Sequence, residues 1–446
     1  MIQYRSLKVA LLGAGSVGSQ VARLLLEGSD ELAARVGASL ELIGIAVRDL
    51  DAPRDADLPR ELLTTDMESL ILSADIVIEL MGGIEPARTH VLQALNSGAD
   101  VVTGNKALLA THGPELFAVA EQVGAQLYYE AAVAGAIPII RPLRDSLAGD
   151  RVERILGIVN GTTNFILDRM DAHGDTFEDA LATASELGYV EKSDPDADVG
   201  GYDAAAKAAI LAGLAFHTSV PMDAVYREGI RGVTKEQVDA ARAAGYVIKL
   251  LAICERLTDP LTGVSGVSAR VYPALIDREH PLAAVHGGHN AVFVQAAAAG
   301  DLMFYGAGAG GLQTASAVLG DVVSAARRHV VGGPGVAEST HAKLPVLNIR
   351  SVTTRYQITL QVVDQPGVLS RVAKLFSDHG VSVEAVQQSV PVERDEVGGI
   401  DGPAPTATLV IGTHQAIEAA LAETVDALRA SDAVSSIASV LRVEGA

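Results

Sequence analysis

Through the first 140 residues, short apolar runs alternate with stretches that place apolar residues three and four apart. Residues 7–12 (LKVALL), 40–47 (LELIGIAV), 74–83 (ADIVIELMGG), 99–103 (ADVVT) and 126–140 (QLYYEAAVAGAIPII) are nearly unbroken in hydrophobicity. Such runs fit strands buried on both faces. Alternation of these strands with helices predicts a parallel, doubly wound sheet. In that architecture ligands sit beyond the carboxyl ends of the strands.

After Pro142 the pattern changes. A strand over 151–159 breaks at Asn160-Gly161-Thr162-Thr163-Asn164 into a helix. Helical patterns follow near 176–187, 204–216 and 235–245, then strand-like runs at 246–254, 266–276, 290–300 and 301–306. This is a mixed α+β region, and a further helix is expected from near Thr314. The Gly- and Pro-rich stretch VVGGPGVAESTHAKLP (330–345) reads as a linker. Beyond it, an alternating strand (355–364), an amphipathic helix (368–380), strands at 381–390 and 407–414, a helix at 416–431 and a strand at 434–443 give the order βαββαβ. That order is ferredoxin-like and predicts a small unit of its own, with a polar hairpin loop at 391–405. The expected division is a dinucleotide-type domain over 1–140, with 310–330 packing back onto it. A substrate and dimerisation domain follows over 141–309, then a linker over 331–350 and a regulatory unit over 351–446.

Composition narrows the function. The net charge of −21 disfavours nucleic acid and anionic membrane as partners. No apolar run approaches the ~20 residues that span a bilayer, and the N-terminus does not resemble a signal peptide. The single cysteine, Cys254, excludes an intrachain disulfide and fits a reducing cytoplasm.

The first strand ends in Gly13-Ala14-Gly15-Ser16-Val17-Gly18, and a helix follows. Strand, GxGxxG and helix in succession form a dinucleotide fingerprint, whose glycines let backbone N–H groups approach a pyrophosphate. The second strand closes on Arg48-Asp49. An acid there would select NAD through the ribose 2′-hydroxyl, and an arginine could take a 2′-phosphate. The order here favours NADP with NAD tolerated. Thr103-Gly104-Asn105-Lys106 closes the fourth strand and brings a lysine to its carboxyl end. At 160–164, Thr162 or Thr163 could cap the helix, or the same turn could hold a carboxylate. FYGAGAGG (304–311) is a second glycine turn before a helix; it suits a cofactor edge or a close-packed helix entry.

Residues 188–207 (GYVEKSDPDADVGGYDAAAK) carry the densest chemistry. An acidic loop runs into a helix whose first turn is expected to bear Lys207, with Asp203 four residues earlier on the same face. AAAKAAILAGLAF (204–216) has almost no polar face, so Lys207 is expected to be buried. Buried lysines are costly unless paired, and those retained are often catalytic.

In combination, GAGSVG (13–18), VVTGNK (101–106), YYEAAVAGAIPII (128–140), VNGTTNFIL (159–167), residues 188–207, FYGAGAGGLQTASAVLGD (304–321) and DQPGVL (364–369) resemble homoserine dehydrogenases of the long form with a C-terminal ACT domain. The resemblance covers essentially the whole chain. It implies NAD(P)-dependent interconversion of aspartate 4-semialdehyde and homoserine in threonine, methionine and isoleucine biosynthesis. It implies Lys207 as proton donor, with Lys106 beside cofactor and substrate. Glu191, Asp203, Asp198, Gly161 and Thr162 would bind substrate, Asp198 meeting the Gly161-Thr162 turn. Cofactor contacts are implied for Gly13, Gly15, Ser16, Val17, Gly18, Arg48, Thr103, Lys106, Gly188 and Gly308. A monovalent cation, usually sodium, is implied at Glu130, Val133, Gly135 and Ile137, mainly through backbone oxygens. The turn at Asp364, Gly367, Val368 and Leu369 would take an amino-acid effector, threonine being expected, or serve only in dimerisation. A homodimer or homotetramer is implied. Two other readings are an amino-acid sensor without catalysis and a dehydrogenase acting on another semialdehyde.

Overall fold

The computed structural model describes residues 5–190, 195–333, 340–389 and 406–445. Glu191, the centre of the linker and the 391–405 loop lie outside them.

The N-terminal part runs β1 (Arg5–Leu12), α1 (Ser16–Glu27), α2 (Ser29–Val36), β2 (Ala38–Ala46), β3 (Leu63–Thr64), α3 (Met67–Leu72), β4 (Ile76–Glu79), α4 (Ala87–Asn96), β5 (Asp100–Thr103), α5 (Lys106–Val123) and β6 (Leu127–Tyr128). Its sheet is wholly parallel in the order β3-β2-β1-β4-β5-β6, the dinucleotide-binding order. Period-two alternation explains the unbroken apolar strands. In β1, Leu7, Val9 and Leu11 enter one core while Ala10 and Leu12 enter another on the opposite face.

The apolar run at 126–140 does not continue as a strand. It leaves the sheet after Tyr128 and forms a 3-10 turn at Glu130–Ala132. The buried Glu130 carboxylate accepts from the N–H groups of Ile139 (2.6 Å), Ile140 (2.7 Å) and Arg141 (3.0 Å). A side chain therefore satisfies donors that a ladder would otherwise need.

The second part comprises β7 (Val152–Ile158), α6 (Gly161–His173), α7 (Phe177–Glu186), α8 (Asp196–Val199), α9 (Tyr202–Phe216), β8 (Tyr226–Arg227), α10 (Lys235–Ala243), β9 (Tyr246–Thr258), β10 (Ser265–Asp277), β11 (His289–Ala296) and β12 (Gly300–Ala307). Helix α11 (Gly311–Val331) then returns to the first sheet. Its Ala315, Val318, Val322 and Ala325 share a core with Val21 and Leu25 of α1 and with Leu7, Val9 and Leu11. It begins three residues before Thr314, because Gly310 (φ +127) turns the chain directly into it.

The C-terminal unit is β13 (Thr353–Val363), α12 (Val368–Asp378), β14 (Val383–Ser389), β15 (Thr406–Thr413), β16 (Ala416–Ile417), α13 (Glu418–Arg429) and β17 (Val434–Glu444). The order β17-β13-β15-β14 is ferredoxin-like, as the sequence pattern predicts. The unit does not stand alone. The end of β17 is flanked by β13 on one side and β10 on the other, pairing Arg442 with Ala274, Val443 with Leu275 and Glu444 with Ile276 in parallel. Both units therefore form one continuous mixed sheet among the described residues. Ion pairs cross this seam: Glu444 takes Arg154 and the Tyr272 hydroxyl, and Arg442, bound to Glu418 (2.6 Å) within its own unit, reaches the partly exposed Glu228 (2.9 Å) on the other side.

Candidate active site

At the end of β1 the glycine turn is shaped by close approach. A Cβ on Gly13 (φ +99) would lie 2.7 Å from the Leu80 carbonyl oxygen, and one on Gly18 would lie 2.1 Å from that of Gly13. Gly15 differs: nothing lies within 4 Å of its Cβ position. Gly15 is the N-cap of α1 and offers no side-chain cap to the first turn at Ser16, Val17 and Gly18. Open space before uncapped N–H groups is what a pyrophosphate needs. The second glycine run reaches the same place, since a Cβ on Gly311 would lie 2.7 Å from the Ser16 carbonyl oxygen. Beyond β2, Arg48 is exposed, whereas the Asp49 carboxylate accepts from the N–H of Asp51 (2.9 Å).

The carboxyl ends of β4 and β5 carry a buried hydroxyl–carboxylate pair. Thr103 donates to Glu79 (2.6 Å) and accepts from the Asn105 N–H (3.0 Å). Glu79 also accepts from the N–H groups of Met81 (2.8 Å) and Gly82 (3.2 Å). The Thr103 side chain is thus committed to fixing the turn that presents Lys106, not turned outward to a ligand. Asn105 caps α5 through Leu108 (3.1 Å), and Lys106 is its first residue.

Lys106 points at α9. Its Nζ lies 2.6 Å from Asp203 Oδ1, and Lys207 Nζ lies 2.7 Å from Asp203 Oδ2. Lys207 also donates to the Val159 carbonyl at 2.7 Å. It sits in the second turn of α9 rather than the first, because Gly201 (φ +79) places the N-cap there. The Asn160 amide donates to Asp198 Oδ1 (2.7 Å) and Asp203 Oδ2 (2.9 Å). Asp203 is therefore enclosed by two ammonium groups and an amide. Burial acts to raise the pKa of Asp203, but the charges of Lys207 and Lys106 overcome it and hold the carboxyl below the usual range. Burial lowers the pKa of Lys207 and Lys106 adds to this, while Asp203 opposes both. Burial also raises the pKa of Asp198, against its bond from Asn160.

The first turn of α6 differs from expectation. Asn160 is the cap, its Oδ1 accepting from the Thr163 N–H (2.8 Å). Thr162 donates to the Tyr189 carbonyl (2.8 Å), and Thr163 bonds back to Asn160. Asp198 meets the Asn160 side chain rather than the Gly161-Thr162 turn. Gly161 is required by the Gly288 carbonyl oxygen, 2.5 Å from its Cβ position. Gly188 (φ +78) turns the chain between α7 and Tyr189.

Glu130, Val133, Gly135 and Ile137 line one buried bend, with Ala134 (φ 60) and Gly135 (φ 64) both left-handed. A Cβ on Gly135 would lie 2.3 Å from the Gly308 carbonyl oxygen, and one on Gly308 would lie 2.5 Å from Asn290 Oδ1. The Glu130 carboxylate is occupied by backbone donors and by Arg141 Nε (2.9 Å). A cation here would therefore be held by carbonyl oxygens, a donor set that suits a hard ion. No cluster of His, Cys, Asp or Glu among the described residues could hold a metal.

Three residues that organise this centre were not singled out from sequence as site residues: Asn160, Glu79 and Asn105. The signals were present. Glu79 is an acid inside an otherwise apolar strand, and each asparagine closes a strand and opens a helix.

A glycine turn at the carboxyl end of β1 in a 3-2-1-4-5-6 sheet, with an acid-bridged lysine pair beyond the end of β5, is the layout of a dehydrogenase that uses a dinucleotide. Its reaction is narrowed by comparison with known proteins. Residues 13–130 match the family described as the NAD-binding domain of homoserine dehydrogenase, residues 138–323 match homoserine dehydrogenase, and residues 356–430 match the ACT domain. A homoserine dehydrogenase of Mycobacterium tuberculosis is 55% identical over 439 residues, covering 98% of this chain and 97% of that protein. One from Corynebacterium glutamicum is 52% identical over 438 residues, covering 98% and 95%. The crystal structure of a homoserine dehydrogenase from Thiobacillus denitrificans superposes with a TM-score of 0.88 at 36% identity, over 100% of this chain and 99% of that one. A hyperthermophilic archaeal homoserine dehydrogenase in complex with NADPH has a TM-score of 0.60 at 28% identity, over 74% and 99%. The chain belongs to the homoserine dehydrogenase family and carries its C-terminal ACT domain. Among the described residues no helix is long and apolar enough to cross a membrane.

Proposed function

We propose that the chain catalyses the reversible reduction of L-aspartate 4-semialdehyde to L-homoserine, on the route to threonine, methionine and isoleucine. The observation that carries this reading is Asp203 set between Lys106 and Lys207. When bound, the reduced dinucleotide supplies a hydride to the aldehyde carbon. Lys207 gives a proton to the aldehyde oxygen and, in the reverse direction, takes it back. Burial makes its ammonium a stronger acid, and the Asp203 charge opposes that shift. Lys106 is half exposed and reaches the substrate oxygen from the cofactor side. Asp198 and Glu191 receive the substrate's ammonium, and Asp203 orients the lysines.

NADPH is the favoured donor, supported by exposed Arg48 and by the NADPH complex of the archaeal relative. A sodium ion is assigned to the carbonyl-lined bend at 130–137. Threonine is assigned to the ACT turn, where Gly367 (φ +89) starts α12, Val368 is buried, Leu369 is exposed and Asp364 precedes the turn. A cytoplasmic homodimer or homotetramer is assigned; exposed Met303 and Tyr305 on edge strand β12 support an interface. The test is the initial rate of NADPH and NADH oxidation with aspartate 4-semialdehyde and with glutamate 5-semialdehyde, each with and without threonine. Turnover confined to glutamate semialdehyde would overturn the substrate assignment.

A further inference from the structure

Outside the lysine pair, one buried cation has no part in the chemistry above. Lys249 lies on β9 and is fully buried. Its Nζ donates to Asn164 Oδ1 (3.0 Å) and to the Val285 carbonyl (2.6 Å). Among the described residues no carboxylate oxygen bonds it directly. Asp168 and Asp171 of α6 act on it from a distance, opposed by Arg278, and burial draws its pKa down to about 8. A buried ammonium held by neutral acceptors is costly, and an apolar side chain would pack there more favourably. Its retention therefore calls for a role other than stability.

The neighbours supply one. Asn164 Nδ2 donates to the carbonyls of Val285 (3.1 Å), Gly287 (2.8 Å) and His289 (3.2 Å). Asp168, one turn further along α6, accepts from the Gly287 N–H (2.8 Å) and bonds His286 Nδ1 (2.7 Å). Helix α6 and Lys249 thus grip the loop at 285–289 through its backbone. That loop faces the candidate site. Its Gly288 carbonyl presses on Gly161, and Gly288 itself packs on the Tyr189 ring, 2.5 Å from its Cβ position. Tyr189 stacks on Phe165 (centroids 4.7 Å apart) and accepts from Thr162. Asn160, one residue before Gly161, binds Asp198 and Asp203. Asn160 caps α6 and Asn164 lies in its first turn, so one end of the helix serves the acids and the loop together.

We propose that Asn164 and Lys249 are positioning residues for aldehyde reduction: they fix the 285–289 loop as the substrate-side wall of the site. The inference rests on the reaction proposed above. In Lys249→Met and Asn164→Leu, KM for aspartate 4-semialdehyde should rise at least about tenfold, while KM for NADPH stays within about twofold. In the wild-type protein, homoserine should slow hydrogen exchange at the amides of residues 286–289, a readout that needs no variant to fold. Unchanged KM in both variants, an equal rise in both KM values, or no protection by homoserine overturns the assignment. Wild-type turnover of the aldehyde tests the reaction itself, so variants with wild-type kinetics would refute the loop's role alone.

Discussion

Asp203→Asn removes one charge and nearly no volume from the centre of the site. In the folded protein Asp203 meets Lys207 at 2.7 Å and Lys106 at 2.6 Å. With charge centres about 4 Å apart and an effective dielectric of about 20, one such pair is worth about 4 kcal/mol. Lys106 is half exposed and its pair is screened, so Lys207 bears most of the loss. Without the acid, the burial and Lys106 charge that already lower the Lys207 pKa act against only the weaker pull of Asp198. At about 1.4 kcal/mol per factor of ten, the equilibrium constant for losing the Lys207 proton should rise on the order of 10²- to 10³-fold. Aldehyde reduction needs that proton, so kcat for reduction should fall by up to a similar factor, most at alkaline pH where the group titrates in both proteins. Reduction should also decline with rising pH, since deprotonation removes the acid, and the decline should move to lower pH in the variant. The assay is kcat in both directions across pH at saturating NADPH. A variant within about threefold of wild type, with an unmoved pH profile, would show that Asp203 does not hold the proton donor charged.

Gly18→Ala places a methyl 2.1 Å from the Gly13 carbonyl oxygen; calorimetric titration should find NADPH binding lost or weakened at least about tenfold, and undiminished binding would exclude this turn as the pyrophosphate site. Glu444→Gln removes the anion shared by Arg154 and Tyr272 at the β10–β17 seam, and breaking a buried pair costs about 3–5 kcal/mol. Its chemical denaturation midpoint should fall accordingly, in one transition that includes both units of the shared sheet. Arg48→Ala should reduce kcat/KM with NADPH several-fold and leave NADH almost unaffected; equal losses with both would remove Arg48 from 2′-phosphate recognition.

Much of the fold follows from short-range patterns. Four of the five apolar runs lie on the parallel sheet, and the fifth adds only Leu127–Tyr128, because unbroken apolar runs bounded by turn residues are local signals. The 126–140 run misleads because hydrophobicity reports burial, and it cannot tell a strand from a bend whose N–H groups are satisfied by Glu130. The ferredoxin-like order is legible strand by strand. The overhang of β17 onto β10 is not, since Arg442, Val443 and Glu444 look the same whether one edge is paired or two. At the site, Lys106, Asp203 and Lys207 stand out as charges in apolar or strand-end settings. Their mutual arrangement depends on contact between α5 and α9, which are distant in sequence, and on Asn160, whose role as cap and acid ligand is a tertiary fact. The buried Lys249 sits in an apolar strand pattern, and nothing local separates it from the core residues beside it.

The most direct test of the account is Lys207→Met, assayed by single-turnover oxidation of NADPH with aspartate 4-semialdehyde, with NADPH affinity measured alongside. The account predicts a loss of at least about 10³-fold in the chemical step with NADPH affinity within about twofold of wild type. A variant that reduces the aldehyde at near wild-type rate would contradict it and place the proton donor elsewhere.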